Sequence, residues 1–108
     1  MISLSGTKIA TLRKLLLEAP NDAMTRYMLA IELHKVGTFE ECIKEMEIYI
    51  KAKDDEGAAY RILADAFIKL GREKDGAWAL RQGAEAARRH HHEGMAEEFE
   101  QHLEELES

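Results

Sequence analysis

Proline and cysteine are almost absent from this sequence. Its 108 residues include one proline, Pro20, and one cysteine, Cys42. Since proline interrupts helices, the stretch after Pro20 contains no residue that forbids a helix interior. A single cysteine excludes an intramolecular disulfide and a cysteine-rich metal cluster, and it fits a reducing compartment.

Long apolar runs and an excess of positive charge are also missing. No stretch approaches the roughly 20 apolar residues that a membrane-spanning helix needs. The first residues, from Met1 to Gly6, lack the basic start and the apolar run of a signal peptide. The net charge of −6 disfavours nucleic acid and anionic membranes as partners, because both attract basic surfaces. We therefore expect a cytoplasmic protein that binds neither nucleic acid nor membranes.

What is present favours helices. Ala, Leu, Glu, Lys, Arg and Met are abundant, and these are the strong helix formers. Apolar residues recur at intervals of three and four in six segments, which is the spacing of one helix face. The segments are about Thr7–Glu18, Asp22–Val36, Thr38–Ile50, Tyr60–Leu70, Glu73–His91 and Met95–Leu106. The apolar face of the first consists of Ile9, Leu12, Leu15 and Leu16. No linker is long enough to divide the chain, so the sequence predicts a single all-α domain of about six helices.

Several predicted helix ends carry capping residues. Asp22 is suited to begin the second helix, because its carboxylate accepts hydrogen bonds from backbone N–H groups of the first turn. Gly37 is suited to end that helix in the left-handed conformation. Thr38 and Glu41 match the capping box, in which each side chain bonds the backbone N–H of the other residue.

The helices repeat with a period of 34 residues, the distance that separates Gly37 from Gly71. The same offset relates apolar and small positions to one another: Leu29 to Leu63, Ala30 to Ala64, Leu33 to Phe67, and Leu12 to Met46 and then to Leu80. A helix-turn-helix unit of this length is the signature of the tetratricopeptide repeat.

The chain accordingly resembles the tetratricopeptide-repeat family. The opening aromatic of the family is Tyr60 in the second repeat, whereas Arg26 stands there in the first, and Tyr49 stands where a small residue is usual. The resemblance divides the chain into a half repeat (1–20), two repeats (21–54 and 55–88) and a C-terminal capping helix (89–108). It implies a right-handed α-α superhelix of antiparallel helix hairpins. A related helical repeat that reads RNA bases is the alternative, which the acidic charge disfavours.

In this family the first helix of each repeat lines a concave face, so the resemblance implies a groove that binds another protein or peptide. The expected groove residues are Met24, Tyr27, Ile31, His34 and Lys35 on the second helix, and Arg61, Asp65, Ile68 and Lys69 on the fourth. Their mixture of apolar and charged groups suits an amphipathic peptide or helix. Met24 and Ile31 have a second interpretation, which is packing against neighbouring helices.

The clamp that binds chaperone C-termini in this family is not expected. That clamp needs a basic residue followed one turn later by asparagine, and Tyr27 and Ile31 occupy those positions. In the next repeat Arg61 is followed by Asp65, whose charge would repel a carboxylate. The predicted function is therefore an adaptor for a partner with apolar anchors.

Self-association is the alternative function. Trp78 is the only tryptophan and falls outside the predicted buried stripe of the fifth helix, and exposed tryptophan is enriched at interfaces. A homodimer through this surface is one interpretation, and shielding of a helix junction is the other.

The segment from Glu93 to Ser108 has seven acidic residues and no Lys or Arg. We expect a solvated helix face there, with an acidic docking surface as the alternative.

No metal, cofactor or catalytic site is expected. His90, His91 and His92 are adjacent, and consecutive residues of a helix point about 100° apart, so they do not converge on one ion. We expect them to complement the dipole at the end of the fifth helix. Cys42 falls at a buried helix position, where thiols are usually inert, and no glycine-rich phosphate loop or Ser-His-Asp arrangement is present.

Overall fold

Six α-helices make up this computed structural model, which describes residues 4–108. They are α1 (Leu4–Glu18), α2 (Ala23–Lys35), α3 (Phe39–Ala52), α4 (Ala58–Lys69), α5 (Glu73–Arg89) and α6 (Glu93–Glu107). The predicted all-α class is confirmed. The signal-peptide prediction concerns residues 1–6, and residues 1–3 lie outside the described residues. Over residues 4–108, every helix falls short of the length and apolar character of a membrane span.

The chain divides into two compact units. The first ends at Lys53 and contains α1, α2 and α3, and the second runs from Asp54 to Ser108 and contains α4, α5 and α6. This boundary lies one residue from the predicted division between the two repeats. In each unit the middle helix contacts the other two.

The core of the first unit forms around α2. The apolar spacing predicts a buried stripe of Leu29, Ala30, Leu33 and Val36 on this helix. The first three are buried and meet apolar residues of both neighbours, whereas Val36, at the C-cap, is 47% exposed. The core residues are Leu29, Ala30 and Leu33 from α2, Cys42, Ile43 and Met46 from α3, and Ile9 and Leu12 from α1. Cys42 is buried, as its position in the pattern predicts.

Arg26, at the position where the resemblance predicts an aromatic residue, forms an ion pair. Its guanidinium donates to the Glu45 carboxylate of α3 and to the Pro20 carbonyl, the latter at 2.8 Å. The side chains of Arg26 and Glu45 are only 16% and 13% exposed. Tyr49, which stands where a small residue is usual, stacks on Tyr27 with ring centroids 4.8 Å apart. Both side chains therefore contribute to the contact between α2 and α3.

The same backbone turn ends α2 and α4. Gly37 and Gly71 have φ values of +81° and +76°, in the left-handed region that glycine adopts without steric cost. In each turn the N–H of the next residue, Thr38 or Arg72, donates at 2.9 Å to a carbonyl in the last turn of the helix. The left-handed cap predicted at Gly37 is confirmed, and it recurs at the predicted offset.

The capping box predicted for Thr38 and Glu41 is wrong. Thr38 does precede the first turn of α3, but its side chain makes no capping hydrogen bond. Its backbone N–H already donates to the Leu33 carbonyl, so this N–H is not available to the Glu41 side chain. The Glu41 carboxylate instead accepts a hydrogen bond from Arg13 of α1 at 2.6 Å.

In the second unit, small residues line the buried face of α5. They are Gly76, Ala77, Ala79, Gly83, Ala84, Ala86 and Ala87. A Cβ atom at Gly83 would lie 2.7 Å from ring carbons of Phe99 in α6, and one at Gly76 would lie 2.8 Å from Cγ1 of Ile68 in α4. The two glycines therefore allow α5 to approach both neighbours closely.

Side chains also connect α4 to α6. Gly57, just before α4, has a φ of +136°, and a Cβ atom there would lie 2.6 Å from the sulfur of Met95. Arg61 of α4 donates to Glu98 of α6 at 3.0 Å, and its guanidinium carbon lies 5.7 Å from the centroid of the Phe99 ring. α4 thus contacts both members of the pair formed by α5 and α6.

We predict that Glu45→Ala destabilises the protein more than Glu41→Ala. Loss of Glu45 leaves the guanidinium of Arg26 largely buried without its counter-charge, which costs roughly 3 kcal/mol. Loss of Glu41 breaks an ion pair whose Arg13 side chain is 50% exposed, and such pairs contribute about 0–1 kcal/mol. Urea unfolding measures both changes. Equal losses would show that the Arg26–Glu45 pair has no special role.

We predict that Gly83→Ala destabilises the second unit, whereas Gly94→Ala does not. Alanine improves helix propensity by up to about 1 kcal/mol at either position. At Gly83 the new methyl group overlaps the buried Phe99 ring, and such overpacking costs roughly 1–3 kcal/mol. At Gly94 a Cβ atom meets nothing within 4 Å. Thermal and urea unfolding compare the variants, and a Gly83→Ala protein as stable as Gly94→Ala would contradict the packing described for α5.

Candidate functional site

A surface groove runs between α1 and α2 in the first unit. Its volume is about 560 Å³, and apolar groups form most of its wall. The lining residues are Thr7, Lys8, Thr11, Leu12 and Leu15 from α1, and Met28, Ile31 and Glu32 from α2. The residues of α3 do not take part in the lining, so the groove lies along one side of the α1–α2 pair.

Helix periodicity places these residues on two adjoining faces. Positions three and four apart share a face, and the groove residues of both helices follow this spacing. Leu12 lies at the base and is 7% exposed, whereas Leu15 and Met28 at the rims are 45% and 47% exposed. The groove is therefore separate from the Leu29–Leu33 stripe, which faces the core.

Glu32 forms the polar part of the groove. The residue is 8% exposed, and its Oε1 accepts a hydrogen bond from Lys35 Nζ at 3.3 Å and lies 3.9 Å from Lys8 Nζ. Its Oε2 is buried and has no hydrogen-bond partner among residues 4–108. A buried acceptor without a donor costs about 1–3 kcal/mol, so the groove contains an unsatisfied carboxylate oxygen beside apolar surface.

The predicted binding residues of α2 have different environments. Ile31 lines the groove, and Lys35 contacts Glu32, which also belongs to it. Tyr27 and His34 are half-buried, and their rings pack against aromatic neighbours in α3. Met24 is 59% exposed and lies outside the groove.

The predicted binding residues of α4 lie in the second unit. Arg61 is exposed and donates to Glu98 of α6. Asp65 and Ile68 are half-buried, and Ile68 packs against α5 at Gly76. Lys69, in the last turn of the helix, is exposed.

Five residues of the groove are not among the predicted binding residues: Lys8, Thr11, Leu15, Met28 and Glu32. The apolar spacing places Leu15 on the apolar face of α1, but this side chain is nearly half exposed. The available signal was Glu32 itself, because a carboxylate between Ile31 and Leu33 interrupts an apolar stretch of α2. Such a residue is costly to bury and is therefore a functional candidate.

The interpretation of the three histidines as consecutive helix residues is wrong. α5 ends at Arg89, so His90 is its C-cap, His91 follows in the left-handed conformation with φ of +63°, and His92 precedes α6. His90 Nε2 lies 2.9 Å from Asp54 Oδ2, and His92 Nε2 lies 3.5 Å from a Glu56 oxygen. Among residues 4–108, no group of three His, Cys, Asp or Glu residues is arranged to hold a metal ion.

Trp78 is 43% exposed on α5. Its neighbours Ala77 and Ala79 are buried, so the indole points away from the packed face of this helix, as the apolar pattern predicts. Exposure of a single tryptophan is compatible with an interface and does not by itself define one.

Three carboxylates have pKa values below their ordinary range because hydrogen bonds stabilise the charged form. The Thr25 hydroxyl and backbone N–H donate to Asp22, which confirms Asp22 as the N-cap of α2 and lowers its pKa. A hydrogen bond from Arg89 lowers the pKa of Asp54. The Arg88 guanidinium, which donates two hydrogen bonds to Glu100, lowers the pKa of that carboxylate.

We predict that acid destabilises the folded chain and that Asp22→Asn reduces this effect. A carboxylate whose pKa is lower in the folded state stabilises that state above its unfolded pKa, here 3.8 for Asp22. The contribution disappears as pH falls through the folded value. Urea unfolding from pH 6 to pH 3 should show a smaller loss of stability for Asp22→Asn than for the wild-type chain. Identical pH dependence would contradict the assigned hydrogen bonds.

Comparison with known proteins does not assign this site. The chain matches no protein-family model, no curated protein and no solved structure.

Proposed function

We propose that the chain is a protein-binding module of the tetratricopeptide-repeat kind and that the α1–α2 groove is a partner-binding surface. The observation that carries this proposal is the apolar groove of about 560 Å³ with a buried, unsatisfied carboxylate oxygen at Glu32. Concave apolar surfaces with a small number of polar groups are the usual form of binding sites.

The repeat itself supports this kind of module. The glycine turns after α2 and α4 are the same in conformation and are 34 residues apart. The right-handed superhelix of antiparallel hairpins and the cytoplasmic location belong to the same proposal. It assigns the chain a protein partner and no catalytic reaction.

The energetics of the groove favour association. Leu15 and Met28 are each nearly half exposed, and removing this surface from water contributes about 1 kcal/mol for each side chain. Binding also fills the space above Leu12 and Ile31. A partner that makes all of these contacts gains the free energy of burying this apolar surface, which remains exposed to water in the isolated chain.

Self-association through α5 is the second candidate function. Its specific support is the 43% exposure of Trp78. Because Trp78 lies in the second unit and the groove in the first, substitutions at the two places separate the two hypotheses.

We predict that Met28→Lys removes partner binding and that Met24→Lys preserves it. Both methionines belong to α2 and are exposed, but only Met28 lines the groove. A lysine at position 28 places a charge in the apolar contact, which should weaken binding at least about tenfold. Quantitative affinity purification followed by mass spectrometry compares the proteins that each variant retains, with circular dichroism as the control for folding.

The pattern of loss decides between the candidates. Proteins lost with Met28→Lys and kept with Met24→Lys and Trp78→Lys would support the groove. An identical set of bound proteins for wild type and Met28→Lys would contradict it. For the second candidate, sedimentation should show a dimer that Trp78→Lys dissociates, and a strictly monomeric wild-type chain would exclude it.

A further inference from the structure

In the second unit, a helix occupies one side of the pair formed by α5 and α6. α4 packs on α5 where Gly76 approaches Ile68 and the Ala64 carbonyl oxygen. On the other member of the pair, Arg61 of α4 donates to Glu98 of α6. Thus α4 removes one side of the α5–α6 pair from water, and it contributes a cation to a glutamate of α6.

The internal repeat identifies the corresponding side of the first unit. Twice the 34-residue offset relates α1 to α5. It maps Lys8, which lines the groove, onto Gly76, which contacts α4. It maps Arg13, which donates to α3, onto Arg81 on the other side of α5. The groove therefore corresponds to the side that α4 covers in the second unit, and α3 lies on the opposite side.

The side of the α5–α6 pair that contains Arg81 differs in character from the groove. Its lining includes five charged side chains: Arg81, Glu85, Arg88, Arg89 and Glu100. Such groups are stable in water, and Arg88 is already paired with Glu100. The α1–α2 groove instead presents Leu12, Leu15, Met28 and Ile31. Of these two surfaces, the groove is the more apolar and gains more from an apolar occupant.

Glu32 defines the polar contact that the occupant must make. Its Oε1 is shared by Lys35 and Lys8, whose side chains are 57% and 51% exposed, while Oε2 has no donor within the described residues 4–108. The last torsion of a glutamate side chain rotates over a broad range, so the carboxylate can turn its unsatisfied oxygen toward a donor in the groove. A cationic donor from Arg or Lys complements this oxygen, because a charge-assisted hydrogen bond to a carboxylate is stronger than a neutral one.

We infer, on the basis of the proposed function, that the partner segment is an amphipathic helix that lies across α1 and α2 and donates a hydrogen bond from Arg or Lys to Glu32. The groove residues of α1 extend from Thr7 to Leu15, about 12 Å along the helix axis. An occupant of two to three turns, with apolar residues at i, i+3 or i+4, and i+7, matches this length. Within the chain, α4 is an example of a helix that covers this side of a helix pair, and it has 12 residues.

The probe for this inference is a phage-displayed library of random peptides of roughly 16 residues, about four helical turns. Selection uses the immobilised full chain, followed by removal of phage that also bind Met28→Lys. The retained peptides should share the helical spacing of apolar residues and an aligned Arg or Lys. Synthetic copies should gain helical circular dichroism when they bind.

A double-mutant cycle tests the contact with Glu32. Replacing the aligned Arg or Lys of the peptide with Met keeps an apolar stem and removes the charge. On the wild-type chain this change should weaken binding about tenfold or more. On Glu32→Gln, which keeps the shape of the side chain, the same change should have an effect of less than threefold. Thermal unfolding verifies that Glu32→Gln is folded.

Each outcome of these experiments is informative. Peptides that depend on Met28 but lack the helical spacing, or that show no coupling to Glu32, would overturn the inference and leave the proposed function standing. Failure to retain any peptide that distinguishes wild type from Met28→Lys would contradict both. A concentration-dependent dimer that Met28→Lys dissociates would identify a second copy of the chain as the occupant and would also overturn the inference.

Discussion

Where two packed helices leave an apolar surface beside their contact, a further helix must lie there to remove it from water. In the second unit α4 does this for one side of α5 and α6, and Phe99 is only 3% exposed. In the first unit α3 lies on one side of α1 and α2, while the other side remains a groove with Leu15 and Met28 nearly half exposed. The binding properties proposed for this chain depend on that difference.

Close approach of the helices determines how completely each side is closed. Gly76 and Gly83 bring α5 against α4 and α6, because a side chain at either position would overlap Ile68 or Phe99. The corresponding helix α1 carries Lys8 and Leu15 at the equivalent positions. An occupant of the groove therefore packs against larger side chains than α4 does. Contacts between side chains, and not close approach of the helix backbones, would stabilise its binding.

Local features of this fold could be predicted from the sequence, whereas features that depend on distant neighbours could not. The turn at Gly37 depends on the conformational freedom of one residue, and its prediction is confirmed. The capping box at Thr38 failed because its N–H donates to the preceding helix. The exposure of Leu15 and Met28 also depends on a distant neighbour. Apolar periodicity shows that a residue prefers burial, but its exposure depends on whether another helix lies over it. The unsatisfied oxygen of Glu32 is visible only when every nearby donor has been placed.

The most direct test of the groove as a binding surface is the measurement of intermolecular nuclear Overhauser effects with a peptide selected on the full chain. Methyl labelling of Leu, Ile and Met provides reporters on both faces of α2. Binding in the groove predicts effects from the peptide to the methyl groups of Leu15, Met28 and Ile31, together with sequential amide contacts of a helix within the peptide. Effects confined to Met24, or to methyl groups of the second unit, would contradict it.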